Sequence, residues 1–106
     1  MKNKNEMNCR LTCSVQVKNS MGLHTRPATT IVKLLQGCKS DVTFTYKKDT
    51  INAKSILSIL MLAARKNAKI NIVVDGDDAK ETMEKLIDGF NTHFGELKPN
   101  TGATGK

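Results

Sequence analysis

The sequence predicts an α+β open-faced β-sandwich: a four-stranded antiparallel sheet with three helices on one face. Two observations carry that expectation. Four stretches alternate apolar and polar residues, as a strand with one buried face does, and three others repeat their apolar residues at helical spacing. The order is strand, helix, strand, strand, helix, strand, helix. Half-polar strands suit a sheet covered on one side better than the doubly buried strands of a parallel sheet. At 106 residues, 39% hydrophobic and 25% charged, the chain has the composition of a single globular domain. The expected division is a flexible polar arm over residues 1–10, one domain over 11–95, and a polar tail over 96–106.

Leu11, Cys13, Val15 and Val17 alternate with Thr12, Ser14, Gln16 and Lys18 and form the first expected strand. Asn19-Ser20-Met21-Gly22 breaks the pattern. Pro27, with φ fixed near the helical value and no N–H, suits the first turn of a helix. Ala28, Ile31, Val32 and Leu35 continue that helix, and Gly37 marks its stop. Val42, Phe44 and Tyr46 alternate with threonines, and Lys47-Lys48-Asp49 turns into a short strand over Thr50-Ile51-Asn52-Ala53. Ser55 is placed to cap a helix reaching Leu62, whose apolar residues cover nearly its whole circumference; some must stay outside unless a partner covers them. Ala68, Ile70, Ile72 and Val74 make the last strand, closed by Asp75-Gly76-Asp77 as turn and helix cap. Ala79, Met83, Leu86, Ile87, Phe90 and Phe94 then line one face of a final helix.

The formal charge of +7 raises nucleic acid, anionic membranes or acidic proteins as partners. Much of the excess lies in the two termini. No apolar run approaches the roughly 20 residues needed to cross a bilayer, and the start leads into no signal-like stretch, so a soluble cytoplasmic protein is expected. Cys9, Cys13 and Cys38 lack the paired spacing of a zinc knuckle and read as reduced thiols, with Cys13 facing the core and Cys9 in the arm. No metal or cofactor is expected.

The chemistry concentrates in Gly22-Leu23-His24-Thr25-Arg26-Pro27-Ala28. A helix beginning here aims unpaired backbone N–H groups and partial positive charge at the His24 ring, an anion-binding position. That field disfavours imidazolium and leaves a nitrogen lone pair to attack phosphorus. A phosphorylated ring would find amide donors and the Arg26 fork beside it. With no second acid/base residue nearby in sequence, the segment suits a group carrier better than an enzyme. His93, near the end of the last helix, is given no chemistry.

That heptapeptide, the later Asn52-Ala53-Lys54-Ser55-Ile56, and Asp75-Gly76 after the last strand together resemble the histidine-containing phosphocarrier (HPr) family of the bacterial phosphoenolpyruvate-dependent sugar phosphotransferase system. The likeness runs from about Leu11 to about Gly95. It implies the same sandwich in βαββαβα order, phosphoryl uptake from enzyme I on Nδ1 of His24, transfer to the IIA domains of sugar permeases, and stabilisation by Arg26. It matches Ser55 to a serine modified by the HPr kinase/phosphorylase, and Thr25, Ile56, Leu57, Leu60 and Met61 to a partner-docking surface on a monomer. Phosphate on Ser55 would suit a helix start yet put negative charge beside that surface.

Thr25 stands where alanine is usual in the family, Ser58 and Ala63 where glycine is frequent, and Leu57 and Leu60 where methionines are common, which narrows the adaptability of the surface. One alternative is an HPr-like regulator acting mainly through protein binding. A more distant one is a small basic RNA-binding domain. It needs aromatic platforms on the open sheet face, whereas Phe44 and Tyr46 share a strand face with Val42 that is expected to meet the helices.

Overall fold

A computed structural model describes residues 9–96; the expected arm over 1–8 and the tail from 97 lie outside the described residues. Strands β1 (Cys9–Gln16), β2 (Asp41–Tyr46), β3 (Asp49–Asn52) and β4 (Lys69–Gly76) form one antiparallel sheet in the order β1-β4-β2-β3. Helices α1 (Thr25–Leu35), α2 (Ile56–Leu62) and α3 (Ala79–Asn91) are followed by a 3₁₀ turn at His93–Gly95. The expected open-faced sandwich is therefore present. β4 lies between β1 and β2, so the chain's first and last strands are neighbours.

Strand register explains the alternation. Leu11 pairs with Val74 and Val74 with Val42; Cys13 pairs with Ile72 and Ile72 with Phe44. These rows share the face that meets the helices, where Val42, Phe44, Ile70, Ile72 and Val74 are fully buried against Ile31, Leu35, Leu86 and Phe90. Removing each such side chain from water contributes about 1.5–3 kcal/mol. The opposite rows, Thr12–Val73–Thr43 and Ser14–Asn71–Thr45, form an outer surface of short polar and aliphatic side chains. Phe44 is turned inward, 5.8 Å from the Phe90 ring centroid, so it gives that surface no stacking platform for RNA bases.

Several boundaries differ from expectation. β1 begins at Cys9, which the sequence assigned to the arm, because Cys9 and Arg10 pair with Gly76 and Asp75, and the Arg10 guanidinium lies 3.6 Å from Asp75. α1 begins at Thr25, putting Pro27 third in the helix, where its missing N–H still costs no intrahelical bond. At the other end of α1, Gln36 is right-handed and Gly37 takes no left-handed cap conformation; the Cys38 N–H closes a tight turn onto Leu35 O.

Asp75-Gly76 belong to β4, and the residue at the α3 cap position is Asp78 rather than Asp77. Asp78 does not cap with its side chain. Its carboxylate instead accepts from the backbone N–H of Lys39 (2.8 Å) and of Ser40 (2.9 Å) and from the Ser40 hydroxyl, tying the start of α3 to the α1–β2 loop. Phe94 keeps the apolar rhythm of α3 but lies beyond its end at φ 50°, folded back so that its ring stacks edge-on against Phe90 at 4.8 Å. Gly89 permits this fold-back, since any Cβ there would collide with the Phe94 ring.

Candidate functional site

The loop between β1 and α1 is fixed at both of its ends before any reactive group enters. Val17 is fully buried, donates its N–H to Ala68 O and accepts from Asn67 N–H. Leu23 donates to Ala64 O at 3.0 Å and is itself buried. Between them Gly22 sits at φ 72°, where a side chain would strike the Ala64 carbonyl. The loop thus runs closely along the α2–β4 connection and delivers His24 to the mouth of α1.

His24 is the residue preceding α1, extended at φ −88°, and its carbonyl accepts the first helical bond from Ala28 N–H. The N–H groups of Thr25 and Arg26 come before any intrahelical acceptor is available, and Pro27 has none. They open on a shallow concavity lined by His24, Thr25, Arg26, Thr29, Thr30 and Glu96. The hydroxyls of Thr29 and Thr30 donate back to Thr25 O and Arg26 O. Arg26 is exposed and forms no ion pair within 4 Å among the described residues. The three residues expected at the histidine site, His24, Thr25 and Arg26, are together.

Glu96 was not foreseen. Assigned to the tail, it folds over the site, and its Oε2 lies 2.8 Å from His24 Nε2. Its other oxygen accepts from Asn19 Nδ2 at 2.6 Å, and the same amide donates to His93 O at 2.9 Å. The Phe94 anchor and Gly95, at φ 79°, bring the chain back to this point; Phe-Gly at the end of a helical pattern was the one trace of it in the sequence. Burial pushes the Glu96 carboxyl up, but hydrogen bonds from Asn19 and His24 and the charges of His24 and Arg26 outweigh it, so the group titrates below the ordinary carboxylate value. An ionised carboxylate only accepts. Nε2 therefore carries a proton, and in the neutral ring the lone pair is on Nδ1.

Ser55 precedes α2 and accepts from Ser58 N–H at 3.2 Å, the expected cap. Of the apolar residues after it, Ile59 and Leu62 are buried and Leu60 is half-buried. Ile56, Leu57 and Met61 face outward, the last two 66% and 73% exposed. Met21, in the His24 loop, is 74% exposed and was not included in the expected surface. Among the described residues, the exposed large apolar side chains are thus confined to α2 and the His24 loop.

Comparison with known proteins follows the same lines. The family described as "PTS HPr component phosphorylation site" matches residues 11–92. The phosphocarrier protein HPr of Chlamydia muridarum is 46% identical over 87 residues, covering 82% of this chain and 84% of its own. That of Chlamydia pneumoniae is 48% identical over 81 residues, covering 76% and 75%. The crystal structure of HPr-C-His from Thermoanaerobacter tengcongensis superposes with a TM-score of 0.79 at 30% identity, over 83% of this chain and 99% of that one.

Proposed function

The chain belongs to the HPr family and is a phosphocarrier of the phosphotransferase system; from that premise we propose that His24 is its phosphorylated residue and Nδ1 the atom that bears the phosphoryl group. The observation that carries this reading is the single protonation pattern allowed by the Glu96 contact: with Nε2–H engaged at 2.8 Å, the nucleophilic lone pair is on Nδ1. Arg26 and the first N–H groups of α1 receive the phosphoryl oxygens, the N–H groups held in place by the helix and the exposed guanidinium free to fold onto the phosphate. The donor is enzyme I and the acceptors are IIA domains, which dock on Thr25, Ile56, Leu57, Leu60 and Met61. The protein acts as a monomeric carrier rather than a free-standing catalyst. It works in the cytoplasm; among the described residues no helix is long and apolar enough to cross a membrane.

Incubation with phosphoenolpyruvate and enzyme I, followed by intact-mass measurement before and after mild acid, tests the assignment. An acid-labile adduct absent from His24→Ala is expected. An adduct that persists in His24→Ala, or none on folded wild type, refutes it.

Ser55 is read as a regulatory phosphoserine served by an HPr kinase/phosphorylase. Its hydroxyl oxygen already sits at the start of α2, where a phosphate would meet N–H donors while adding charge beside exposed Ile56 and Leu57. With ATP and such a kinase, an acid-stable adduct lost in Ser55→Ala is expected; labelling that survives the substitution excludes the site.

A further inference from the structure

Asn19 is 1% exposed, and its amide is used in an unusual way. Nδ2 spends both of its protons on acceptors, His93 O at 2.9 Å and Glu96 Oε1 at 2.6 Å, while the buried Oδ1 finds no partner among the described residues. The amide cannot be turned over, because Oδ1 would then face a carbonyl and a carboxylate. An orphaned buried acceptor destabilises the fold, and an apolar side chain in this place would avoid that loss. What Asn19 supplies in return is a fixed Glu96 carboxylate, aimed at His24 Nε2 from inside the protein.

We propose that Asn19 is a positioning residue for phosphoryl transfer, acting through Glu96 to keep the ring proton on Nε2 both before and after His24 is phosphorylated. This rests on His24 being the acceptor. In the transfer, the Nδ1 lone pair forms the new N–P bond as the bond between phosphorus and the donor breaks, its electron pair returning to the donor. The Nε2 proton stays where it is. The phosphorylated ring is then cationic, with Nε2–H held by the Glu96 carboxylate. When an acceptor attacks phosphorus, the electron pair of the N–P bond returns to Nδ1 and the ring leaves as neutral imidazole. No proton has to move in either direction, so the group is held without losing its readiness to depart. Without Asn19 the carboxylate is free to rotate away, Nε2–H and Nδ1–H tautomers mix, and only part of the population presents the attacking lone pair at the helix mouth.

The test reads the ring directly. Nitrogen chemical shifts of the neutral His24 ring distinguish the two tautomers without any phosphoryl donor, and uptake from phosphoenolpyruvate and enzyme I is timed on the same samples. Wild type is expected to show Nδ1 as unprotonated and Nε2 as protonated. Asn19→Ala and the near-isosteric Asn19→Leu are expected to move both shifts toward a tautomer mixture and to slow uptake in proportion to the rings left in the wrong tautomer, about twofold for an even mixture. Glu96→Gln leaves Asn19 in place but confronts its amide with another donor, and is expected to reproduce the change; combined with Asn19→Leu it should add little further. Wild-type shifts in a folded Asn19 variant or in Glu96→Gln, or fully additive effects in the double variant, overturn the proposal. If instead wild type takes no phosphate on His24, the site assignment falls, while the ring shifts still decide whether Asn19 sets the tautomer.

Discussion

Replacing Gly89 with alanine sets two physical effects against each other, and their sign can be measured. Gly89 lies inside α3, where alanine is favoured over glycine by about 1 kcal/mol, so helix propensity alone predicts a more stable protein. The structure predicts the opposite. A Cβ at position 89 would overlap three atoms of the Phe94 ring, which has the Phe90 ring behind it and cannot stay where it is. Expelling Phe94 forfeits about 1.5–3 kcal/mol of burial and about 0.5–1.5 kcal/mol of edge-on aromatic contact. Against the propensity gain, a net loss of about 2 kcal/mol remains, and partial readjustment of the ring would reduce it. Urea denaturation of Gly89→Ala should show the lower midpoint. Because Phe94 anchors the turn that carries Glu96, the His24 ring resonances should shift as well. A variant as stable as wild type, or more stable, would refute this account of the C-terminal turn.

Three other outcomes follow from the same structure. Ala63 closes α2 with φ 54°, a left-handed conformation that costs an L-residue about 1–2 kcal/mol; Ala63→Gly should raise the denaturation midpoint by part of that amount, and a drop would contradict it. Asp78 is pushed down to about 2 from 3.8, chiefly by the Ser40 hydroxyl and the Lys39 N–H. A folded value below the unfolded one means that the stabilisation is whole above about pH 4 and lost as the pH falls toward 2, so Asp78→Asn should flatten the acid limb of a stability profile. Leu57, 66% exposed, should tolerate Leu57→Ser within about 0.5 kcal/mol in denaturation. Affinity for enzyme I measured by calorimetry should nevertheless weaken about tenfold, and unchanged binding would remove Leu57 from the docking surface.

The parts of this architecture that were legible in the sequence are those governed by local periodicity. Leu11, Cys13 and Val15 alternate because their cross-strand partners Val74, Ile72 and Ile70 line the same buried face, and Ser55 stands three residues before the N–H it accepts. His24 and Arg26 were legible because one helix start organises both. What escaped was set by distant parts of the chain. Glu96 is 72 residues from His24 and reaches it through a reversal that no periodic pattern encodes. Asp77 was read into the turn and cap because residues of its kind usually bond their own helix; the residue at the cap is Asp78, and two N–H groups and a hydroxyl from 38 to 39 residues away compete successfully for its oxygens. Phe94 obeyed the helical spacing although it lies outside the helix, since an aromatic folded back from the next turn can fill the same place.

The position of β4 bears on how the protein is made. β1 and β2 do not touch as neighbours in the sheet; each waits for the strand that ends at Gly76 to enter between them. The loop that delivers His24 hangs on Ala64 O, and the carboxylate that meets its ring is Glu96. A chain still emerging from the ribosome therefore cannot assemble this histidine's surroundings until Glu96, 72 residues further on, has followed it out. Pairings so distant in sequence form late and together. Copies that stop short of Glu96 would present the His24 ring without the carboxylate that meets it.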